Sequence, residues 1–367
     1  MRILLIGEYS NVHATLAKGL RWHGNEVTVL SNGDFWKDYP RDIDLSRRTG
    51  KIGGLAYYSH LCTLMPRLRG YDVVQLINPM FLELKAQRIS PIYRHLRKHN
   101  GKMILGGFGM DWYWVHTCIK EKPLRYSDFN IGNELRTNAD ALCERQDWIG
   151  TNKERLNQMI ANDCDGIVTG LYEYWVCYHP AFTDKTTYIP YPIEMPDNKN
   201  FHPWNPGDKI RFFIGINKTR SEYKGTDIML AAARQMLEKY PDQMELKIAE
   251  SVPYVQYQEM MNGADAILDQ LYSYTPSMNP LQAMANGIIC IGGGEPENYE
   301  ILDEKELRPI INVEPTFESV CHAIEQLILQ PEHINKLKAD SIEYITRHHE
   351  YRKVAKQYID FYNNLNQ

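Results

Sequence analysis

Short apolar runs bounded by glycine or polar turns recur along the chain, alternating with longer stretches whose apolar residues return every three or four positions. Arg2–Gly7 (RILLIG) leads into Asn11–His23, where Val12, Leu16, Leu20 and Trp22 fall at helical spacing. The runs Glu26–Ser31, Asp72–Asn78, Lys102–Gly106 and Asp165–Gly170 repeat the strand signal, with helix-like segments near Tyr57–Leu68, Glu83–Asn100 and Tyr172–Tyr178. Apolar runs separated by helices predict a parallel sheet covered on both faces. Between Asp111 and Asn162 the period is lost, and this stretch reads as irregular.

A proline-rich stretch, Tyr188–Asp208, interrupts the alternation and places a domain boundary near residue 200. The pattern then restarts. Strand Arg211–Ile216 precedes a helix over Gly225–Tyr240 with Ile228, Met229, Ala232, Met236 and Leu237 on one face; strands at Glu245–Ala249, Ala266–Leu268, Ile288–Ile291 and Leu307–Val313 follow. Helices Thr316–Gln330, Glu332–His348 and Tyr351–Asn364 close the chain. The prediction is an α/β protein of two doubly wound halves, a size that 367 residues suit.

Apolar residues at 43% and charged residues at 24% are those of a soluble globular protein. No run approaches the ~18 apolar residues of a membrane span, and Met1–Leu4 enters a strand directly, so a cytoplasmic protein is expected. The net charge of −5 argues against a nucleic-acid partner. Its distribution is uneven, +3 over residues 1–200 and −8 over 201–367, with Arg41, Arg47, Arg48 and Lys51 among the basic residues of the first half. They read either as a solvated helix face or as a surface for anionic lipid, in peripheral contact with the cytoplasmic face of a membrane. Seven scattered cysteines with no CxxC spacing indicate buried free thiols, and no zinc or redox motif.

The chemistry concentrates in Asp265–Glu300. A strand empties into a loop of small and polar residues, the helix-like Pro280–Gly287 (PLQAMANG) follows, then a strand and the glycines Gly292–Gly294. The first N–H groups of a helix lack partners and attract anions, and open parallel sheets bind ligands at the carboxyl ends of their strands. A phosphate-bearing ligand is the expected occupant. Gln282-Ala283-Met284-Ala285-Asn286-Gly287 resembles the second half of the donor-binding motif of retaining, nucleotide-sugar-dependent glycosyltransferases of the GT-B fold, the family called glycosyltransferase family 4 or group 1. That family carries two glutamates separated by seven residues; the corresponding positions here are Tyr274 and Gln282, so both carboxylates are replaced.

The resemblance implies two Rossmann-like doubly wound domains facing across a cleft: an acceptor domain over 1–200, a nucleotide-sugar donor domain over 201–350, and a final helix in 351–367 crossing back to the first. It implies retaining transfer of a sugar from a UDP- or GDP-linked donor to a glycan or lipid-linked acceptor, in polysaccharide or glycoconjugate biosynthesis, with no metal and no cofactor beyond the nucleotide sugar. The alternative is a nucleotide-sugar-binding partner protein that no longer transfers, which the two lost glutamates favour.

Lys218 and Lys224 occupy the positions of the two basic residues that grip the diphosphate in that family, and Arg220 is an equal candidate chemically. Lys224-Gly225 also reads as an exposed helix start, although the macrodipole disfavours a cation there. The resemblance puts backbone N–H groups of Ser277, Met278 and Asn279 at the distal phosphate, Tyr274 beside the transferred sugar and Gln282 at the ribose, accepting through its carbonyl oxygen. Glu295 is the candidate to replace the missing sugar-orienting carboxylate. Gly292–Gly294 either terminates a strand in a tight turn or lets backbone approach a ligand.

In the first half, Gly7 opens a turn, Gly7–Asn11, that places backbone N–H groups as donor-binding candidates, and His13 is either catalytic or structural. Gly106–Asp111 (GGFGMD) resembles the glycine-rich turn of bacterial members, where Asp111 binds acceptor hydroxyls or receives a proton; as a helix N-cap it would contribute about 1 kcal/mol. No GxGxxG follows the first strand, and GxxxxGK[ST] and HExxH are absent, which removes dinucleotide, P-loop and zinc-protease readings.

Overall fold

The computed structural model describes residues 1–196, 201–217 and 220–365. They form two compact units: Met1–Pro123 with Cys143–Pro192 and Tyr351–Gln367, and Leu124–Leu142 with Ile193–Glu350. The division is more interleaved than one boundary near residue 200, since the chain enters the second unit at Leu124, returns at Cys143 and enters it again at Ile193.

The strands in chain order are β1 (Arg2–Ile6), β2 (Glu26–Ser31), β3 (Ile43–Asp44), β4 (Val73–Leu76), β5 (Lys102–Gly107), β6 (Asn130–Ile131), β7 (Glu134–Leu135), β8 (Gly166–Thr169) and β9 (Thr186–Tyr188), then β10 (Ile210–Ile216), β11 (Met244–Glu250), β12 (Ala266–Leu268), β13 (Ile289–Gly292) and β14 (Ile311–Asn312). The first unit's sheet has the order β3-β2-β1-β4-β5-β8-β9, and the second unit's β11-β10-β12-β13-β14. Every neighbouring pair in both is parallel, with Ile3 opposite Val27 and Val73, and Phe212 opposite Leu246 and Ala266. β6 and β7 form a separate antiparallel hairpin. Central strands buried on both faces explain why Ile3–Ile6 and Ala266–Leu268 are continuously apolar rather than alternating.

The stretch read as irregular contains the helices Trp112–Lys120, Ala139–Trp148 and Asn152–Asp163. Aromatic residues in the first and polar ones in the other two hid the helical period. Side-chain caps replace it: Asp111 accepts from Trp114 N (2.9 Å), and Thr151 Oγ1 from Lys153 N (3.1 Å). The helix expected near Tyr57 begins earlier, at Gly50, because Gly50, Gly53 and Gly54 weaken the sequence signal without stopping the helix.

The final helix, Tyr351–Asn364, belongs to the first unit and packs on Val12–Trp22 at Gly19, where a Cβ would lie 2.5 Å from Tyr351 O and 2.6 Å from Ala355 Cβ. Among the described residues no helix is long and apolar enough to cross a membrane. Of the thiols expected to be buried, Cys62 and Cys143 are exposed.

Candidate functional site

In each sheet the chain order reverses once, between β1 and β4 in the first unit and between β10 and β12 in the second. The loops leaving the carboxyl ends of such a pair diverge and open a crevice, the usual ligand position in this architecture. The two crevices have opposite chemistry.

In the first unit the turn after β1 has little to offer an anion. The Glu8 side chain folds onto the start of helix Val12–Trp22 and accepts from His13 N (3.2 Å) and Ala14 N (2.8 Å), so a carboxyl group of the chain itself occupies the helix N-terminus. Burial pushes this carboxyl up to about 8, against the two amides that lower it. Ser10 N donates to Asp34 (2.8 Å), Val12 N to Tyr9 O (3.1 Å) and Gly7 N to Leu30 O (2.9 Å). Gly7 is therefore not an anion donor. It is a glycine because φ is +85° and because a Cβ would come within 2.2 Å of Ile77 Cγ2.

His13 is fully buried, with Nδ1 2.8 Å from Gly7 O and Nε2 3.1 Å from Gln75 Nε2. Gln75 in turn accepts from Tyr362 OH (2.7 Å) in the final helix. Burial pulls the imidazole down to about 4, so it is neutral, with the Nδ1 proton on Gly7 O and Nε2 accepting from the amide. This arrangement joins β1, β4 and the final helix, and it corrects the catalytic reading of His13. Asp111 is likewise fully buried. It caps helix Trp112–Lys120 and accepts from Tyr178 OH (2.6 Å); Asn157 donates to the same phenol oxygen (3.1 Å). Burial pushes its carboxyl up to about 7. Of its two readings the cap is the one realised, and contact with acceptor hydroxyls is not available to a carboxylate turned inward.

A raised carboxyl stabilises the folded state below its unfolded pKa and loses that contribution as pH rises through the folded value. For Glu8 the window runs from about 4.5 to about 8. Glu8→Gln, which keeps an acceptor for the helix amides, should be more stable relative to wild type at pH 8 than at pH 5. Thermal melts of the two proteins across that range check this, and parallel curves would show that the Glu8 carboxyl is not protonated in the fold.

The crevice of the second unit is built from the loops after β10 and β12. They touch directly: Leu271 N donates to Lys224 O (3.0 Å), and Gly225, at φ +73°, has Leu271 and Tyr272 within 3.0 Å of where a Cβ would sit. Lys224 is half-buried at the end of the short helix Ser221–Lys224, and Arg220 lies with its guanidinium 4.7 Å from the Tyr223 ring centre. Lys218 lies outside the described residues. Helix Met278–Ala285 starts on this edge with Ser277 at its N-cap. Leu281 N bonds Ser277 O (3.1 Å), Pro280 has no N–H, and the amides of Met278 and Asn279 have no partner among the described residues. The Asn279 side chain donates to Tyr257 OH (2.8 Å), and Gln282 is half-buried one turn on.

Asp269 is a residue the sequence reading passed over. It leaves β12 directly, its amide bonds Ile291 O (3.1 Å), and burial pushes its carboxyl up to about 6 with Lys224 pulling it back. Its signal was available, an acidic residue at the carboxyl end of an apolar strand.

Tyr274 and Glu295 are engaged by the segment Leu124–Leu142. Arg125 N donates to Tyr274 OH (2.7 Å), and its guanidinium lies 4.9 Å from the Tyr274 ring centre, bonding Glu295 (2.7 Å) and Glu297 (2.5 Å). Tyr126 OH donates to the other Glu295 oxygen. Glu295, the proposed substitute carboxylate, is thus buried with both oxygens taken, and its role is to anchor this segment. Arg136 does the same at the other loop, donating to Glu222 O (2.6 Å) and Tyr223 O (3.0 Å) at the end of helix Ser221–Lys224, 3.6 Å above the Tyr272 ring. The triple glycine is neither a positive-φ turn nor an open surface: a Cβ at Gly293 would meet Ser273 O at 2.2 Å, and one at Gly294 would meet Ile310 at 2.6 Å.

No protein family's sequence profile matches the chain, and no curated protein sequence matches it. Its fold is similar to that of sucrose-phosphate synthase from Thermosynechococcus elongatus (TM-score 0.63, 12% identity, covering 100% of this chain and 99% of that one). It is also similar to HepE of Anabaena, solved in complex with UDP-glucose (0.60, 10%, covering 98% of each). A third such structure is the UDP-GlcNAc 2-epimerase from Neisseria meningitidis bound to UDP-GlcNAc (0.56, 11%, covering 98% and 99%). With two all-parallel Rossmann-like units in this strand order, the chain has the GT-B fold.

Proposed function

We propose that the protein is a glycosyltransferase that binds a UDP- or GDP-linked sugar on its second unit and transfers the sugar, with retention, to a glycan or lipid-linked acceptor in polysaccharide or glycoconjugate biosynthesis. The observation that carries this reading is the pair of unpartnered amides of Met278 and Asn279 at the β10/β12 reversal, next to a loop bearing Arg220 and Lys224. Departure of a nucleoside diphosphate accumulates negative charge, which amides and cations at such a point stabilise without a bound metal. The first unit, whose corresponding helix start is filled by Glu8, is left for the acceptor. With a lipid-linked acceptor the protein works on the cytoplasmic face of a membrane.

A second reading is a sugar-nucleotide-binding protein without transferase activity. It is favoured by Tyr274, buried and bonded to Arg125 where the resembling family has a carboxylate. Incubation with a panel of UDP- and GDP-sugars, with and without a membrane extract as acceptor, separates the readings when nucleotide release and the sugar nucleotide are followed by NMR. Acceptor-dependent release of nucleoside diphosphate is expected. Binding without release would support the second reading, and conversion of the donor to its epimer would replace transfer by epimerisation.

A further inference from the structure

We propose that one edge of the first unit, formed by the turn after β2 and the start of helix Gly50–Leu64, docks on an anionic lipid bilayer. The inference deepens the lipid-linked acceptor reading and rests on it for its purpose, but its physical basis is separate. Phe35 and Trp36 are 63% and 64% exposed, and Ile52 and Leu55 are 87% and 72% exposed. Large apolar side chains this open are unfavourable in water and mark a surface that something covers.

The exposure is built in. The turn carrying Phe35 and Trp36 has Asp34, Phe35 and Asp38 in the left-handed region, at φ 58°, 60° and 51°. That conformation is rare for a bulky residue such as phenylalanine. It is held by Ser10 N and Lys37 Nζ on the Asp34 carboxylate and by Tyr39 N on Gly33 O. Helix Gly50–Leu64 buries Gly53, Tyr57, Leu61 and Leu64, one face only, leaving Ile52 and Leu55 on the other. Glu83 fixes both segments together: its carboxylate accepts from Asn32, its carbonyl from Arg47 (3.2 Å), and its amide donates to Tyr57 OH (3.3 Å).

Charge selects the partner. Asp34 pairs with Lys37 and Asp42 with Arg21, Asp38 and Asp44 share Arg41, and the Glu83 carboxylate is held by Asn32. Arg47, Arg48 and Lys51 are exposed and form no ion pair among the described residues. Apolar and aromatic side chains beside three exposed cations outside any such ion pair match a bilayer whose hydrocarbon lies beneath anionic headgroups, with aromatic rings at the interface.

The test is co-sedimentation of the full chain with vesicles of phosphatidylcholine alone or mixed with phosphatidylglycerol, at low and high salt. Binding to the anionic vesicles is expected, about tenfold or more stronger than to the neutral ones and weakened by salt. Trp36→Ser with Leu55→Ser should reduce it about tenfold or more with an unchanged thermal melt, and Arg48→Glu with Lys51→Glu should abolish the preference for phosphatidylglycerol. Absence of vesicle binding, or binding that neither variant changes, would overturn the proposal. So would a lipid-free dimer in sedimentation velocity that Leu55→Ser dissolves, since a second copy would then cover the patch. Vesicle binding by a protein that never releases nucleotide would leave this inference standing and remove the transferase reading.

Discussion

Asp265→Ala is expected to destabilise the second unit by about 3–5 kcal/mol, the range for breaking one side of a buried ion pair. Asp265 sits at the entry to β12 with its side chain fully buried, and accepts from Arg211 N (2.9 Å), Arg211 Nε (3.0 Å) and Lys338 Nζ (2.8 Å). Burial alone would push its carboxyl up; the hydrogen bonds and charges of Arg211 and Lys338 outweigh it and hold the group below the usual carboxylate range. Lys338 is only 1% exposed and is pulled down by burial, so without Asp265 it must deprotonate or draw water inward. Arg211 is better placed, being partly exposed. Adding Lys338→Met should therefore recover much of the loss, because the removed charge no longer needs a partner. The sign with pH follows from the depressed carboxyl: its contribution is present above the unfolded pKa and disappears as pH falls through the folded one, so the single variant and wild type converge in acid. Calorimetric unfolding of wild type, single and double variants measures all three statements. A loss below about 1 kcal/mol in the single variant would show that Lys338 is hydrated and that this cluster does not hold the sheet.

Asp265 and Asp269 stand four residues apart, at opposite ends of one three-residue strand, and their environments push them in opposite directions. The sequence shows both as acids flanking an apolar run. It does not show that helix Ile334–His348 delivers Lys338 to the first, because that contact spans 73 residues. The same limit governs the candidate site. Strands β1, β10, β12 and β13 were legible because central parallel strands must be apolar on both faces, and the start of helix Met278–Ala285 was legible because small residues and a glycine bracket it. The Glu8 carboxyl was not, since only the fold reveals that it reaches forward five and six residues onto the amides a phosphate would otherwise use. Nor was the membership of Leu124–Leu142 in the second unit, which depends on Arg125 and Arg136 reaching partners 86 to 172 residues away. Tyr274 and Glu295 were read as groups waiting for a sugar because their partners could not be seen.

Lys224→Ala should weaken binding of a nucleoside diphosphate by about 1.5–3 kcal/mol, the range for a hydrogen bond to a charged group, which is roughly a 10- to 150-fold rise in Kd. The lysine lies on the loop that contacts the β12 loop through Leu271 N; in the proposed reading a cation there would meet a diphosphate whose other oxygens would reach the amides of Met278 and Asn279. Asp269 supplies the converse test. Its carboxyl, pushed up to about 6 by burial with the Lys224 charge pulling it back, is largely ionised at pH 7.5 and so offsets part of that charge. Asp269→Asn should therefore tighten nucleoside diphosphate binding at pH 7.5, by up to about tenfold for one neighbouring like charge removed, with a smaller gain at pH 5.5, where the wild-type carboxyl is protonated. Titration calorimetry with UDP and GDP on the three proteins at both pH values distinguishes the cases. Equal affinity in wild type and Lys224→Ala would remove this lysine from the diphosphate site. Weaker binding in Asp269→Asn would mean that the carboxylate orients Lys224 rather than competing for it, and the cation would then act only as half of a fixed pair.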